Sequence, residues 1–133
     1  MRRILLSAAL GFMAALVIGA TPSVAHEDKL AGGEWVLDGG GSKPPVLCFE
    51  AGRVSGTGGC NRFGGSYESI GDKLSFSPLA ATRMACEPEV MQAEQDFFAM
   101  LDRVRAMTLE GDALELRDES GASLARFTRS IGG

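Results

Sequence analysis

The stretch Gly56-Thr57-Gly58-Gly59-Cys60-Asn61-Arg62-Phe63-Gly64-Gly65-Ser66-Tyr67-Glu68 decides how the rest of the chain is read. Five of its thirteen residues are glycine, and a cysteine, an asparagine and an arginine sit at its centre. As a phosphate-cradling loop it nearly fits G-x-x-x-x-G-K-[ST] over Gly59 to Ser66, but Gly65 stands where the phosphate-reaching lysine belongs. No helical pattern follows Ser66, so the strand-loop-helix context of that motif is missing as well. As structure the residues fit better. Gly58-Gly59 adopts backbone conformations closed to other residues, and Gly64-Gly65 bends a strand or forms a bulge. Asn61 is suited to bonding nearby backbone. Arg62 is read as solvated or paired with an acid.

The flanks read as short strands separated by turns. Strands are expected at Glu34 to Leu37, Val46 to Glu50, Arg53 to Gly56, Phe63 to Ile70 and Lys73 to Phe76. Three more follow, at Ala106 to Glu110, Ala113 to Arg117 and Ser123 to Thr128. Gly71-Asp72 and Gly111-Asp112 are tight-turn signals. One segment differs. From Pro88 to Arg105, Val90, Met91, Phe97, Phe98, Leu101 and Val104 fall at helical spacing, with polar residues on the other faces. Pro88 suits a first helical turn, and Arg103 and Arg105 suit the negative end of the helix. The expected fold class is α+β, mostly β: short strands in a sheet that the paired glycines can curve into a barrel or half-barrel, with one α-helix.

At the N-terminus, Met1-Arg2-Arg3 precedes an apolar run from Ile4 to Ala20, and Ser23-Val24-Ala25 is a small-x-small cleavage site. Residues 1–25 are therefore read as a secretory signal peptide cleaved after Ala25. The run is 17 residues long, at the lower limit for spanning a bilayer, and Ser7, Gly11 and Gly19 interrupt it. No membrane span is expected after its removal. The mature chain, 26–133, is expected to be one domain, periplasmic or secreted. Cleavage removes two of the 13 basic residues and no acid, leaving 11 against 17 and a net charge of −6. Such a balance, with no basic cluster, argues against nucleic acid as a partner.

Export places the three cysteines, Cys48, Cys60 and Cys86, in an oxidising compartment. They allow three single bridges, and sequence alone does not choose among them. Cys48 sits in an apolar strand, whereas Cys60 and Cys86 lie in less regular settings, which favours Cys60–Cys86. That loop of about 27 residues is worth about 3–4 kcal/mol in the chain-entropy model. A nucleophilic thiol needs a base, and the one histidine, His26, is the first mature residue. One histidine and scattered cysteines do not make a zinc site either, so no metal and no cofactor are expected.

Gly59-Cys60-Asn61-Arg62-Phe63-Gly64-Gly65-Ser66-Tyr67, followed by Thr82-Arg83-Met84-Ala85-Cys86, resembles the META domain of HslJ-like proteins. The resemblance runs from about Leu30 to Thr128 and includes the Trp35 strand and Glu94 in the helix. It implies a small antiparallel half-barrel with one helix, in exported proteins or lipoproteins, one of them heat-inducible, whose molecular activity is largely unknown. It strengthens the Cys60–Cys86 bridge and leaves Cys48 as a free thiol. It also implies structural roles for Gly59, Asn61, Arg62, Phe63, Gly65, Tyr67, Arg83, Met84 and Glu94. The chain lacks the lipid-attachment cysteine of the lipoprotein members.

The function expected is that of an exported, non-enzymatic, stress-related envelope protein, monomeric, binding an apolar small molecule or an envelope protein. The apolar ligand rests partly on analogy with lipid-binding half-barrels of secretion pilot proteins. Met91, Phe97, Phe98 and Leu101 are more simply read as core. The alternative is a small carboxylate-based hydrolase, for which Glu50, Glu68, Glu87, Glu89 and Glu94 are the available acids. Glu94 interrupts the apolar stripe, so it is expected to be partly buried and paired with Arg62 or Arg83.

Overall fold

The computed structural model describes residues 11, 13–15 and 28–130. Apart from residues 11 and 13–15, the expected signal peptide and its cleavage site lie outside the described residues. Among the described residues, no helix is long and apolar enough to cross a membrane.

The chain forms β1 (Glu34–Leu37), β2 (Val46–Glu50), β3 (Arg53–Thr57), β4 (Arg62–Ile70), β5 (Lys73–Phe76), β6 (Ala80–Ala81), α1 (Pro88–Asp102), β7 (Ala106–Glu110), β8 (Ala113–Arg117) and β9 (Ser123–Ser130). All named strands pair antiparallel in the order β3-β2-β1-β9-β8-β7-β5-β4-β6, and β3 also pairs with β4. That extra pairing runs from Arg53↔Ser66 to Thr57↔Arg62 and turns the expected half-barrel into a closed eight-stranded ring. Eight strands enclose an interior only just wide enough for side chains. Here Trp35, Leu47, Phe49, Val54, Phe63, Leu74, Leu114, Leu116 and Phe127 fill it.

Closure is uneven around the ring. β8 and β9 pair along their length, whereas β5 and β7 share the single register pair Lys73↔Ala106. Two backbone bonds reinforce that pair, Leu74 N–H to Arg105 O at 3.1 Å and Met107 N–H to Asp72 O at 2.8 Å. Beyond Leu74 the outer edge of β5 has no strand beside it among the described residues, so the ring keeps some of the half-barrel character that the resemblance implies. β6, which the sequence did not signal, continues β5 along the same edge of β4. The register changes from Tyr67↔Phe76 to Gly64↔Ala80, so Gly65 and Ser66 stand opposite three residues, Ser77, Pro78 and Leu79. This is a bulge. Gly65 makes it fit, because a Cβ there would lie 2.7 Å from Leu79 Cδ2.

α1 covers one end of the barrel. Phe97 sits on Phe63 and Phe127, with ring centroids 6.0 and 6.3 Å away, and Phe98 meets Phe63 at 5.4 Å. Phe97 and Leu101 are buried, so the apolar stripe belongs to the core. The helix ends at Asp102 rather than Arg105. The chain must turn there to start β7, and the Arg105 guanidinium donates to the carbonyls of Asp102 and Val104 at 2.9 and 2.7 Å. Before β1, Leu30 is buried and its carbonyl accepts the Trp35 indole N–H at 2.9 Å. The Arg129 guanidinium lies over the indole ring, 4.3 Å from its centroid.

Candidate functional site

Of the residues singled out in the sequence, Gly59, Cys60, Asn61, Met84, Cys86 and Glu94 converge where β3 turns into β4. Gly58 is buried there, and a Cβ on it would lie 2.6 Å from Glu94 Cγ. Its missing side chain is the space through which Glu94 enters from α1. Glu94 Oε2 accepts the backbone N–H groups of Cys60 at 2.9 Å and Asn61 at 2.5 Å, and Oε1 accepts Asn61 Nδ2 at 2.6 Å. Asn61 then reaches the other way. Its Oδ1 accepts the Thr82 hydroxyl at 2.9 Å and the Met84 N–H at 2.6 Å. The Cys60–Cys86 disulfide, with Cα atoms 6.1 Å apart, closes the same triangle. Three segments far apart in sequence are thereby tied at one point: the β3–β4 turn, the 82–86 run and the helix.

Glu94 and Asn61 are 4 % and 3 % exposed, so this is a buried charge whose cost is met by three N–H donors. The arginine expected beside Glu94 is not there. Arg62 and Arg83 are both exposed, and neither forms a salt bridge among the described residues. Donors already held in place by the turn stabilise the carboxylate without desolvating a guanidinium, which is why no ion pair is needed. Met84 presents its backbone to Asn61 while its side chain is 57 % exposed. Of the other acids considered, Glu50, Glu68, Glu87 and Glu89 are exposed. Among the described residues, no group of three or more His, Cys, Asp or Glu is placed to hold a metal. Cys48 is a free thiol on β2, half-buried, and desolvation together with the nearby Glu34 charge pushes its pKa up, away from nucleophilic use.

The opposite end of the barrel is built differently. The Ala51-Gly52 and Gly71-Asp72 turns, the 28–30 lead and the start of β7 surround an open recess of about 850 Å³. Leu30, Tyr67, Ile70, Met107 and Leu109 give it apolar walls, and Ile70 is 76 % exposed. The Tyr67 hydroxyl donates to Asp28 Oδ2, and Asp28 Oδ1 accepts the Leu30 N–H at 3.1 Å. Burial, followed by the hydrogen bond and charge of Asp28, pushes the Tyr67 pKa up to about 12. Of the residues around this recess, only Tyr67 was singled out in the sequence. Asp28, Leu30, Ile70, Met107 and Leu109 come from separate elements and share no motif, so no sequence signal groups them. A smaller groove of about 250 Å³ lies between the bulge and the helix, lined by Phe76, Leu79, Ala81, Phe98 and Leu101 among others.

Comparison with known proteins adds a family and a fold. The model of the META domain matches residues 28–131. No curated protein matches the sequence. Among solved structures, the NMR structure of a protein from Burkholderia xenovorans is similar with a TM-score of 0.63 and 27 % identity, covering 77 % of this chain and 85 % of that one. A second NMR structure has a TM-score of 0.59 at 24 % identity, over 75 % of this chain and 91 % of the other. The crystal structure of a DUF4847 family protein from Bacteroides vulgatus shares the fold at a TM-score of 0.53 and 15 % identity, covering 67 % of this chain and 61 % of that one.

Proposed function

The chain belongs to the META-domain family, and from that premise we propose that it is an exported binding protein, not an enzyme, whose barrel mouth takes an apolar or amphipathic small molecule. The observation that carries the reading is the recess at the mouth. Its volume of about 850 Å³ falls within the roughly 300–1,000 Å³ of small-molecule sites, and its walls combine apolar side chains with the Asp28–Tyr67 pair and the polar Lys29, Ser69 and Asp72. The barrel interior offers no alternative, because side chains fill it. Export through the 1–25 leader and a mature chain of 26–133 complete the proposal. The Cys60–Cys86 bridge supports export, since such bridges persist in oxidising compartments. A stress-related role in the cell envelope follows from the family resemblance and is tested by heat and antibiotic tolerance of a strain lacking the protein. The competing reading, a carboxylate hydrolase, has little to build on: Glu94, the one buried acid among the described residues, is engaged by the protein's own N–H groups.

Native mass spectrometry of the chain purified from the periplasm tests the proposal. The expected result is a polypeptide beginning at His26 that carries additional mass lost on denaturation. A bare polypeptide that also fails to bind a fluorescent fatty acid overturns the small-molecule reading. A polypeptide retaining residues 1–25 overturns processing. With the fluorescent fatty acid as probe, Ile70→Asp is expected to weaken binding about tenfold or more, by placing a charge on an apolar wall.

A further inference from the structure

We propose that the open edge of β6, with the groove beneath it, docks an extended acidic segment of another protein. β6 ends the strand order, so among the described residues only one of its edges is paired. The Thr82 N–H bonds Arg62 O at 3.0 Å, which points Thr82 and Ala80 toward β4. In an antiparallel ladder alternate residues face opposite ways, so the backbone groups of Ala81 and Arg83 face outward. Residues 80–85 are all exposed. An edge of this kind is a template for strand addition. It is also held rigid: Asn61 Oδ1 fixes Thr82 and Met84, and the disulfide fixes Cys86. A partner strand therefore meets an edge that needs no ordering before it binds.

Size and charge identify the occupant. The groove of about 250 Å³ lies below the roughly 300–1,000 Å³ of small-molecule sites and suits one bulky apolar side chain. Phe76, Leu79, Phe98 and Leu101 supply its apolar lining, and Asp102, the last residue of α1, also borders it. Arg62 and Arg83 are exposed cations without an ion pair among the described residues, on a chain whose formal charge is −4. Pairing with a second copy of the chain would gather both copies' arginines at one seam, where like charges repel. An incoming strand that places glutamate or aspartate beside Arg62 or Arg83 meets an opposite charge there, which steers it in and fixes its register. Pro78 and the bulge at Ser77–Leu79 limit strand addition to the short run after Leu79 and keep the edge from open-ended pairing.

The test is amide NMR of the intact oxidised chain with two capped octapeptides. One alternates valine with glutamate around a central phenylalanine, and the other carries lysine in place of glutamate. The acidic peptide is expected to shift and protect the Ala81 and Arg83 amides from exchange, and to bind at least about tenfold more tightly than the basic one. Arg62 and Arg83 are both exposed, so Arg62→Glu and Arg83→Glu are expected to leave the fold intact and together to reverse that preference. No shift at Ala81 and Arg83, equal binding of both peptides, unchanged preference in the double variant, or concentration-dependent dimerisation through β6 each overturns the proposal. The result does not depend on what the mouth at the other end of the barrel binds.

Discussion

The two ends of the barrel solve opposite problems. At the Gly58–Asn61 end a buried carboxylate, an asparagine and a disulfide leave little unused: three N–H donors meet Glu94, and both sides of the Asn61 amide are engaged. At the Ala51–Gly52 and Gly71–Asp72 end a tyrosine–aspartate pair stands beside an open apolar recess. The first end is a latch and the second a mouth. The contrast teaches that the residues most conspicuous in a sequence need not be those that line an open recess. Cysteine, asparagine, an acid inside an apolar stripe and paired glycines signal demanding local geometry, whereas the recess wall is assembled mostly from ordinary residues of separate elements.

The sharpest way to break this contrast is to remove the latch. Glu94→Ala strands the Cys60 and Asn61 N–H groups and Asn61 Nδ2, and is expected to cost about 3–5 kcal/mol in urea unfolding of the oxidised protein. Glu94→Gln costs less, about 1–3 kcal/mol, because one N–H must then face either Asn61 Nδ2 or, if Asn61 flips, the Met84 N–H. A Glu94→Gln protein as stable as the parent would show that the carboxylate is dispensable. Replacing both Cys60 and Cys86 by serine is expected to cost about 3–4 kcal/mol, from the loop entropy returned to the unfolded chain. A loss below about 1 kcal/mol would mean that Asn61 and Glu94 hold the 82–86 run without the bridge. Gly58→Ala drives a Cβ against Glu94 and is expected to cost about 1–3 kcal/mol; an unchanged urea midpoint would show that the helix shifts to make room.

The mouth should respond more gently and in a different variable. The Tyr67 pKa is raised in the folded state to about 12, above its ordinary value of 10.0. The unfolded chain therefore loses the phenolic proton first as pH rises. Tyr67's contribution is fully present below about pH 10 and is lost progressively toward pH 12. Tyr67→Phe is expected to lower stability at neutral pH by about 1 kcal/mol and to flatten the decline between pH 10 and 12. An equally steep decline in Tyr67→Phe would assign the alkaline loss to other groups. The smallest effect is expected at the rim, where Ile70→Ser should change stability by no more than about 0.5 kcal/mol, since the side chain is already exposed. A larger loss would make Ile70 part of the core and weaken the distinction between the two ends.

Much of the fold was legible because it rests on local chemistry. Strand periodicity, the Gly71–Asp72 and Gly111–Asp112 turns and the stripe from Val90 to Leu101 are written in neighbouring residues, and β1, β2, β5, β7 and β8 stand where their patterns put them. β6 escaped because two alanines carry no period and Pro78 reads as a loop. Part of the latch was also legible: Glu94 stood out as an acid inside an apolar stripe. Its partner was not, because an arginine is an obvious counter-charge in a sequence, whereas backbone N–H groups exist at every residue and only a turn aims them.

By itself the sequence determined a mostly β fold with one helix, a segment whose glycines and cysteine belong to the architecture, and an acidic balance of charge. Each is a matter of composition or short-range spacing. Only the tertiary structure decided that β3 pairs with β4 to close the ring, that Glu94 is hydrogen-bonded by a turn about thirty residues before it, and that Leu30, Tyr67, Ile70, Met107 and Leu109 share one recess. These depend on long-range pairing, where the energy of a contact is set by burial and by which donors converge, and neither quantity exists until the chain has closed on itself.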